Sequence, residues 1–146
     1  MISRILVAVD GSEQSKKALE FAADLAKRYK AEMHLIHVTQ PLVADDVFAL
    51  GAVAVPVNAS LEELDEVGQQ VLEAAVAVAK AAGLEQPVTE LSHGDPGRQI
   101  VSYAEDHGVD LIVMGTRALG SFSSLLIGSV SNKVNHKAPC TCITVH

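Results

Sequence analysis

The sequence predicts an α/β domain: a three-layer, doubly wound fold around a five-stranded, mainly parallel sheet. Three observations predict it. Short aliphatic runs such as Ile5-Leu6-Val7-Ala8-Val9 and Leu111-Ile112-Val113-Met114 lack polar alternation, the mark of strands buried on both faces. Between such runs lie stretches whose apolar residues recur at helical spacing. Helix-start signals open these stretches and Gly or Pro closes most of them, so strand and helix alternate and the sheet must be parallel and covered on both sides. The 146 residues suit one domain, 1–146. Hydrophobic residues make up 49% and aromatics only 3%, so the core must be built from Val, Ile, Leu and Ala.

The first strand is expected over residues 5–9. Asp10-Gly11-Ser12 then combines a turn with a helix start. Residues 13–29 place Ala18, Leu19, Ala22, Leu25, Ala26 and Tyr29 at helical spacing, with charges between them. The second strand is expected over 32–38. Residues 39–59 form a long connection with no clear period, yet Val47, Phe48, Leu50, Val53, Val55 and Val57 make it apolar. Connections this long are often lids or binding loops; it is either a flap near a ligand or partner, or a loop folded over the domain edge. Ser60-Leu61-Glu62-Glu63 is a capping box. The helix it opens carries Leu64, Val67, Val71, Ala75, Val78 and Ala82 along one stripe and stops at Gly83. A third strand follows at 88–92. Asp95-Pro96 starts a helix whose Ile100, Val101 and Ala104 face inward, and Gly108 closes it. The fourth strand spans 111–114. A last helix runs from Ser129 to near Lys137, and the last strand from 140 to 145.

Composition narrows the partners. A net charge of −7 argues against nucleic acid and against an anionic membrane surface. There is no signal-type apolar segment and no run long enough to span a bilayer, so cytoplasm is the expected location. Cys140 and Cys142 do not form a disulfide framework and lack the second pair of a structural zinc site. The six histidines show no metal-ligand spacing and read as structural or exposed; His34 and His37, three apart on one strand, should face opposite sides.

One stretch carries chemistry. Met114-Gly-Thr-Arg-Ala-Leu-Gly-Ser-Phe-Ser-Ser-Leu-Leu-Ile-Gly128-Ser129 joins a buried strand to a helix start. The N–H groups and positive dipole end of a helix attract anions, and glycine lets the backbone approach. Gly115 and Gly128 stand at the two ends of this loop. Arg117 can offer phosphate a bidentate fork or be a solvated surface arginine. Asp10 reads as an N-cap carboxylate that can also contact ribose or a magnesium ion beside phosphates. Lys133, one turn into the last helix, should face solvent. No Ser-His-Asp signature, Walker A loop or G-x-G-x-x-G occurs, and no second carboxylate is placed as a base. The chain is built to hold a ligand rather than turn it over quickly.

The spacing Gly115-x2-Ala118-x9-Gly128-Ser129 resembles the G-x2-G-x9-G-[S/T] loop of the universal stress protein family. The likeness extends to Ile5-Leu6-Val7-Ala8-Val9-Asp10-Gly11-Ser12, to Gly94-Asp95-Pro96 and to Ala138-Pro139-Cys140-Thr141-Cys142-Ile143-Thr144-Val145. It implies a Rossmann-like, adenine nucleotide alpha hydrolase-like fold and an adenine nucleotide ligand: ATP, ADP or AMP. By that resemblance Ala8, Val9 and the main chain at Val38 frame the adenosine. Met114, Gly115, Arg117, Ala118, Gly128, Ser129 and Val130 hold the ribose and phosphates. It also implies a homodimer through the last strand and a role in stress response or signalling with a protein partner. The second glycine of the pattern is Ala118 here. The alternative is therefore a dimeric interaction module of the same family that binds no nucleotide.

Overall fold

In the computed structural model of the chain, the described residues are 1–40, 49–50, 53–54, 59–116 and 128–146. The elements are β1 (Arg4–Ala8), α1 (Glu13–Tyr29), β2 (Glu32–Thr39), β3 (Ala49–Leu50), β4 (Val53–Ala54), α2 (Leu61–Ala81), β5 (Val88–His93), α3 (Pro96–Asp106), β6 (Leu111–Gly115), α4 (Ser129–Lys137) and β7 (Thr141–Val145).

Five strands form one sheet in the order β5-β2-β1-β6-β7, and every pairing in it is parallel. The sheet is thus wholly parallel rather than mainly so. Its middle strand, β1, is aliphatic because it has a helix layer on each side: Ile5, Leu6 and Val7 are all fully buried. Side chains alternate between the two faces. Ile5, Val7, Val9, Met33, Leu35, Leu111 and Val113 meet Ala18, Leu19, Ala22 and Ala26 of α1 and Leu72, Ala75 and Ala79 of α2. Leu6, Ile36, Ile112 and Met114 meet Ile100, Tyr103 and Ala104 of α3 and Val134 of α4. The many alanines of α1 let the helix lie close to the sheet.

Several expectations shift. The long connection holds a short antiparallel pair, Ala49 opposite Ala54 and Leu50 opposite Val53; its flap role falls on residues outside the described ones. Along α2 the fully buried line is Leu64, Gly68, Leu72, Ala75 and Ala79, with Val67, Val71 and Val78 flanking it. The line is one position out because a glycine, not a valine, faces the closest neighbour. Tyr29 is 51% exposed because α1 ends there, with Lys30 in the left-handed conformation. The last strand starts at Thr141, and Cys140 precedes it.

At the amino end of the sheet, the Asp110 carboxylate accepts from the N–H groups of Ser3 and Arg4 at 2.7 and 3.0 Å. The start of β1 is thereby tied to the approach to β6. At the opposite end the chain leaves β1 and β6 for different faces: α1 covers one and α4 the other. The two strands are neighbours, and in doubly wound sheets a crevice forms between the carboxyl ends of such a pair. This is the point where strand order reverses, and ligands of such sheets bind there.

Candidate functional site

Three segments meet at that carboxyl edge. The first is the turn after β1. Asp10 Oδ1 accepts from Ser12 N–H at 2.9 Å, Asp10 N–H donates to Ser15 Oγ at 3.2 Å, and Ser15 N–H donates to Ser12 Oγ at 3.1 Å. Gly11 has φ +84°, which favours glycine. Ser12 is the N-cap of α1, and Asp10 shapes the turn before it rather than capping the helix itself.

The second segment is the fork between β1 and β2. The register ends with Ala8 opposite Ile36, and one further ladder bond runs from Val9 N–H to Ile36 O at 2.9 Å. The Val9 carbonyl accepts from His37 Nδ1 at 2.8 Å, which fixes that nitrogen as the protonated one. His37 is 3% exposed, and burial pushes its pKa below the ordinary histidine value. Thr39, at the end of β2, is equally buried, and its Oγ1 has no hydrogen-bond partner among the described residues.

The third segment is the base of the glycine loop. Thr116 N–H donates to Val145 O at 3.0 Å, and Gly128 N–H donates to Thr116 O at 2.8 Å. Ser131 Oγ, buried in the first turn of α4, reaches Gly128 O at 3.0 Å and Thr116 O at 3.4 Å. The two ends of the loop are therefore clamped together. Gly128 takes the N-cap position of α4 and supplies no side-chain hydrogen bond. Ser12, Ser60 and Asp95 cap α1, α2 and α3 with their side chains. Among the described residues, the first N–H groups of α4 are thus without the side-chain acceptor that the other helices carry.

Of the residues expected at a site, Ala8, Val9, Asp10, Val38, Met114, Gly115, Gly128, Ser129 and Val130 all lie at or beside the carboxyl ends of β1, β2 and β6 or at the start of α4. Arg117 and Ala118 lie outside the described residues. Met114 is buried against the α3 and α4 side. Gly115 has a role of its own: a Cβ there would stand 2.8 Å from Gln14 Cβ and 2.9 Å from the Gln14 carbonyl carbon. The first turn of α1 rests directly on it. Lys133 is not simply solvated; its Nζ pairs with Asp95 at 2.9 Å and, with the Arg98 N–H, holds that carboxyl below the usual range. A Cβ at Gly97 would collide with the Lys133 stem at 2.6 Å, so α3 and α4 are closely joined there.

His34, His37 and His93 make defined side-chain contacts. His34 and His37 face opposite layers: His34 Nδ1 bonds the Tyr103 hydroxyl at 2.8 Å, and His37 packs beside α2. His93 pairs with Asp65 at 2.8 Å. The Cys140 and Cys142 thiols are half-buried, and burial raises both, Cys140 to about 11. Neither is poised as a nucleophile. Among the described residues no three His, Cys, Asp or Glu side chains gather as a metal site. Nor is any helix among them long and apolar enough to cross a membrane.

Sequence reasoning missed Gly68, Ser131 and His37. The signal for Gly68 was present: it sits four residues from both Leu64 and Leu72 on the apolar face of α2. Ser131 and His37 carried none, because each acts on a backbone carbonyl that only the folded chain presents.

The chain matches the model of the Universal stress protein family over residues 1–146. It is 35% identical to Universal stress protein YxiE of Bacillus subtilis, across 99% of both chains. Among solved structures it resembles a universal stress protein in complex with cAMP, with a TM-score of 0.74, 24% identity and 99% and 97% of the two chains covered. It also resembles UspA from Lactobacillus plantarum, with a TM-score of 0.66, 29% identity and 99% and 97% covered.

Proposed function

The chain belongs to the universal stress protein family, and on that premise we propose that it is a nucleotide-binding module that acts through its bound state and not as an enzyme. The ligand is an adenine nucleotide, ATP first among them, lying across the carboxyl ends of β1, β2 and β6. Ala8, Val9 and the Val38 main chain frame the adenosine. Met114, Gly115, Arg117, Ala118, Gly128, Ser129 and Val130 take the ribose and phosphates.

The observation that carries this reading is the start of α4. Among the described residues its N-terminal N–H groups have no side-chain cap, the residue before them is a glycine, and Gly128 is bonded to Thr116 at the carboxyl end of β6. That donor set fits a phosphate. The Thr39 hydroxyl at the same edge, without a partner among the described residues, adds a polar atom that a ligand could satisfy. One solved protein of this architecture is in complex with cAMP. For magnesium the described residues offer the Asp10 carboxylate, and phosphate oxygens would complete the ion's shell.

Denaturing the purified protein and identifying released small molecules by mass spectrometry tests the ligand class. Calorimetric titration with magnesium and ATP then tests the place. Gly128→Val should abolish binding, because a branched side chain enters where the anion meets α4. Arg117→Ala should weaken it by about 1.5–3 kcal/mol, the worth of one charge-assisted hydrogen bond. A parent protein that binds no adenine nucleotide at millimolar concentration would overturn the reading.

One observation favours a second reading, a dimeric interaction module without nucleotide. Gly115 is already explained by the contact with Gln14, with no ligand needed. Either form works as a homodimer through β7, in the cytoplasm, with a protein partner.

A further inference from the structure

We infer that His37, seated by Gly68, is a positioning residue that fixes the first peptide after β1 and so sets the shape of the β1–β2 fork. The inference rests on the nucleotide reading for its functional consequence, but its geometry stands apart from it. Extending the β1–β2 register by one residue would place Val9 opposite His37, and the next ladder bond would run from Val38 N–H to Val9 O. Among the described residues the Val9 carbonyl instead accepts from the His37 ring at 2.8 Å. A side chain of β2 thus replaces its own backbone at the point where the sheet opens. The main chain at Val38, on the same side of the strand, is then available to a ligand edge.

The rest of the molecule makes room for this ring. Gly68 lies in the middle of α2, on its buried face. A methyl group there would stand 2.8 Å from His37 Cδ2 and 2.8 Å from Leu91 Cδ1. Glycine is a poor helix former, so its presence mid-helix needs a packing reason, and the imidazole supplies one. Charged and titratable groups facing the ring are Asp10 from the turn after β1 and Asp65 from α2, the latter paired with His93 of β5. The ring is held neutral by burial, with Nδ1 as the proton-bearing atom.

The two parts of the idea, donor and seat, are separable. His37→Asn keeps an N–H donor near the Nδ1 position; His37→Leu keeps apolar bulk and removes the donor; Gly68→Ala pushes on the ring from α2. Two readouts apply to the full chain of each variant: ATP affinity by calorimetry, and amide exchange of Asp10 and Gly11 without ligand. The expected pattern is at least tenfold weaker ATP binding and faster exchange in His37→Leu and Gly68→Ala, with both largely restored in His37→Asn. Parent-like affinity and exchange in His37→Leu would overturn the proposal. So would equal losses in His37→Asn and His37→Leu, which would mean that packing, not the donor, matters. If the parent binds no ATP, the nucleotide reading fails, and the exchange measurement alone decides whether His37 sets the turn.

Discussion

Buried side chains at the carboxyl edge act on backbone atoms, and this makes them sensitive to protonation. His37 is the clearest case. Its pKa in the folded chain lies below the ordinary value of 6.5 because burial penalises the cation. In the unfolded chain it returns to about that value. Above it the ring is neutral in both states, and its contribution to stability is complete. As pH falls through it, the unfolded chain takes up a proton that the folded chain resists, and stability is lost down to the folded pKa. Urea titrations should therefore show the parent losing more stability between pH 7 and pH 5 than His37→Asn does. Equal losses would mean that the ring titrates freely. Asp95, held low by Lys133, has the same sign in a more acidic window: its contribution is present above the ordinary carboxylate pKa and fades as pH falls through that value toward the folded one. The sequence showed the histidines but not this. A hydrogen bond to Val9 O depends on where two strands part, and no spacing in the chain encodes that.

Helices and strands were far more legible than contacts. The capping box at Ser60, the Asp95-Pro96 start and the strand at 111–114 stand as expected, because each is a local signal: a side chain reaching its own helix's N–H groups, or an unbroken aliphatic run. The glycine loop was legible as a spacing, and the structure adds what the spacing hid. Gly115 serves the joint between β6 and α1. Gly115→Ala should cost about 1–3 kcal/mol, as an overpacked joint does, because Gln14 and the start of α1 must retreat. Gly128→Val should leave stability closer to the parent while removing ligand binding. Thermal unfolding of the pair checks this, and an Ala at 115 that leaves the melting temperature unchanged would show that α1 gives way freely. The short β3–β4 pair escaped detection because two-residue strands have no period to read.

At the scale of the molecule, the strand order leaves β5 and β7 at the edges. β7 is β-branched, partly exposed and short of one neighbour, a surface that invites pairing. α1, which packs in part against β7, presents Phe21, 43% exposed, and the half-buried Leu25. They lie on the flank of α1 away from Lys27, whose side chain lies beside Gly83 at the end of α2. Two-fold pairing of β7 with its copy would cover strand and flank together. Sedimentation should show a dimer at micromolar concentration, weakened by Phe21→Asp and lost when residues after Pro139 are removed; a monomeric parent would rule this out. The sequence offered the last strand for this role, while its place at the edge is a property of the whole sheet.

The central position of β1 also sets a timetable for synthesis. β1 leaves the ribosome before the other strands of its sheet, and β2, its near neighbour in sequence, can pair with it early. Its other flank belongs to β6, at residues 111–115. At roughly 5–20 residues per second, several seconds pass between the two arrivals. Throughout them one side of β1, whose Ile5, Leu6 and Val7 are fully buried in the finished fold, stands open. Nascent chains stalled before Leu111 should be readily cut by protease and held by chaperones, and chains extended past Lys137 should resist, since only then can β6 and α4 close the sheet. Protection already complete in the shorter chains would show that the first half folds alone.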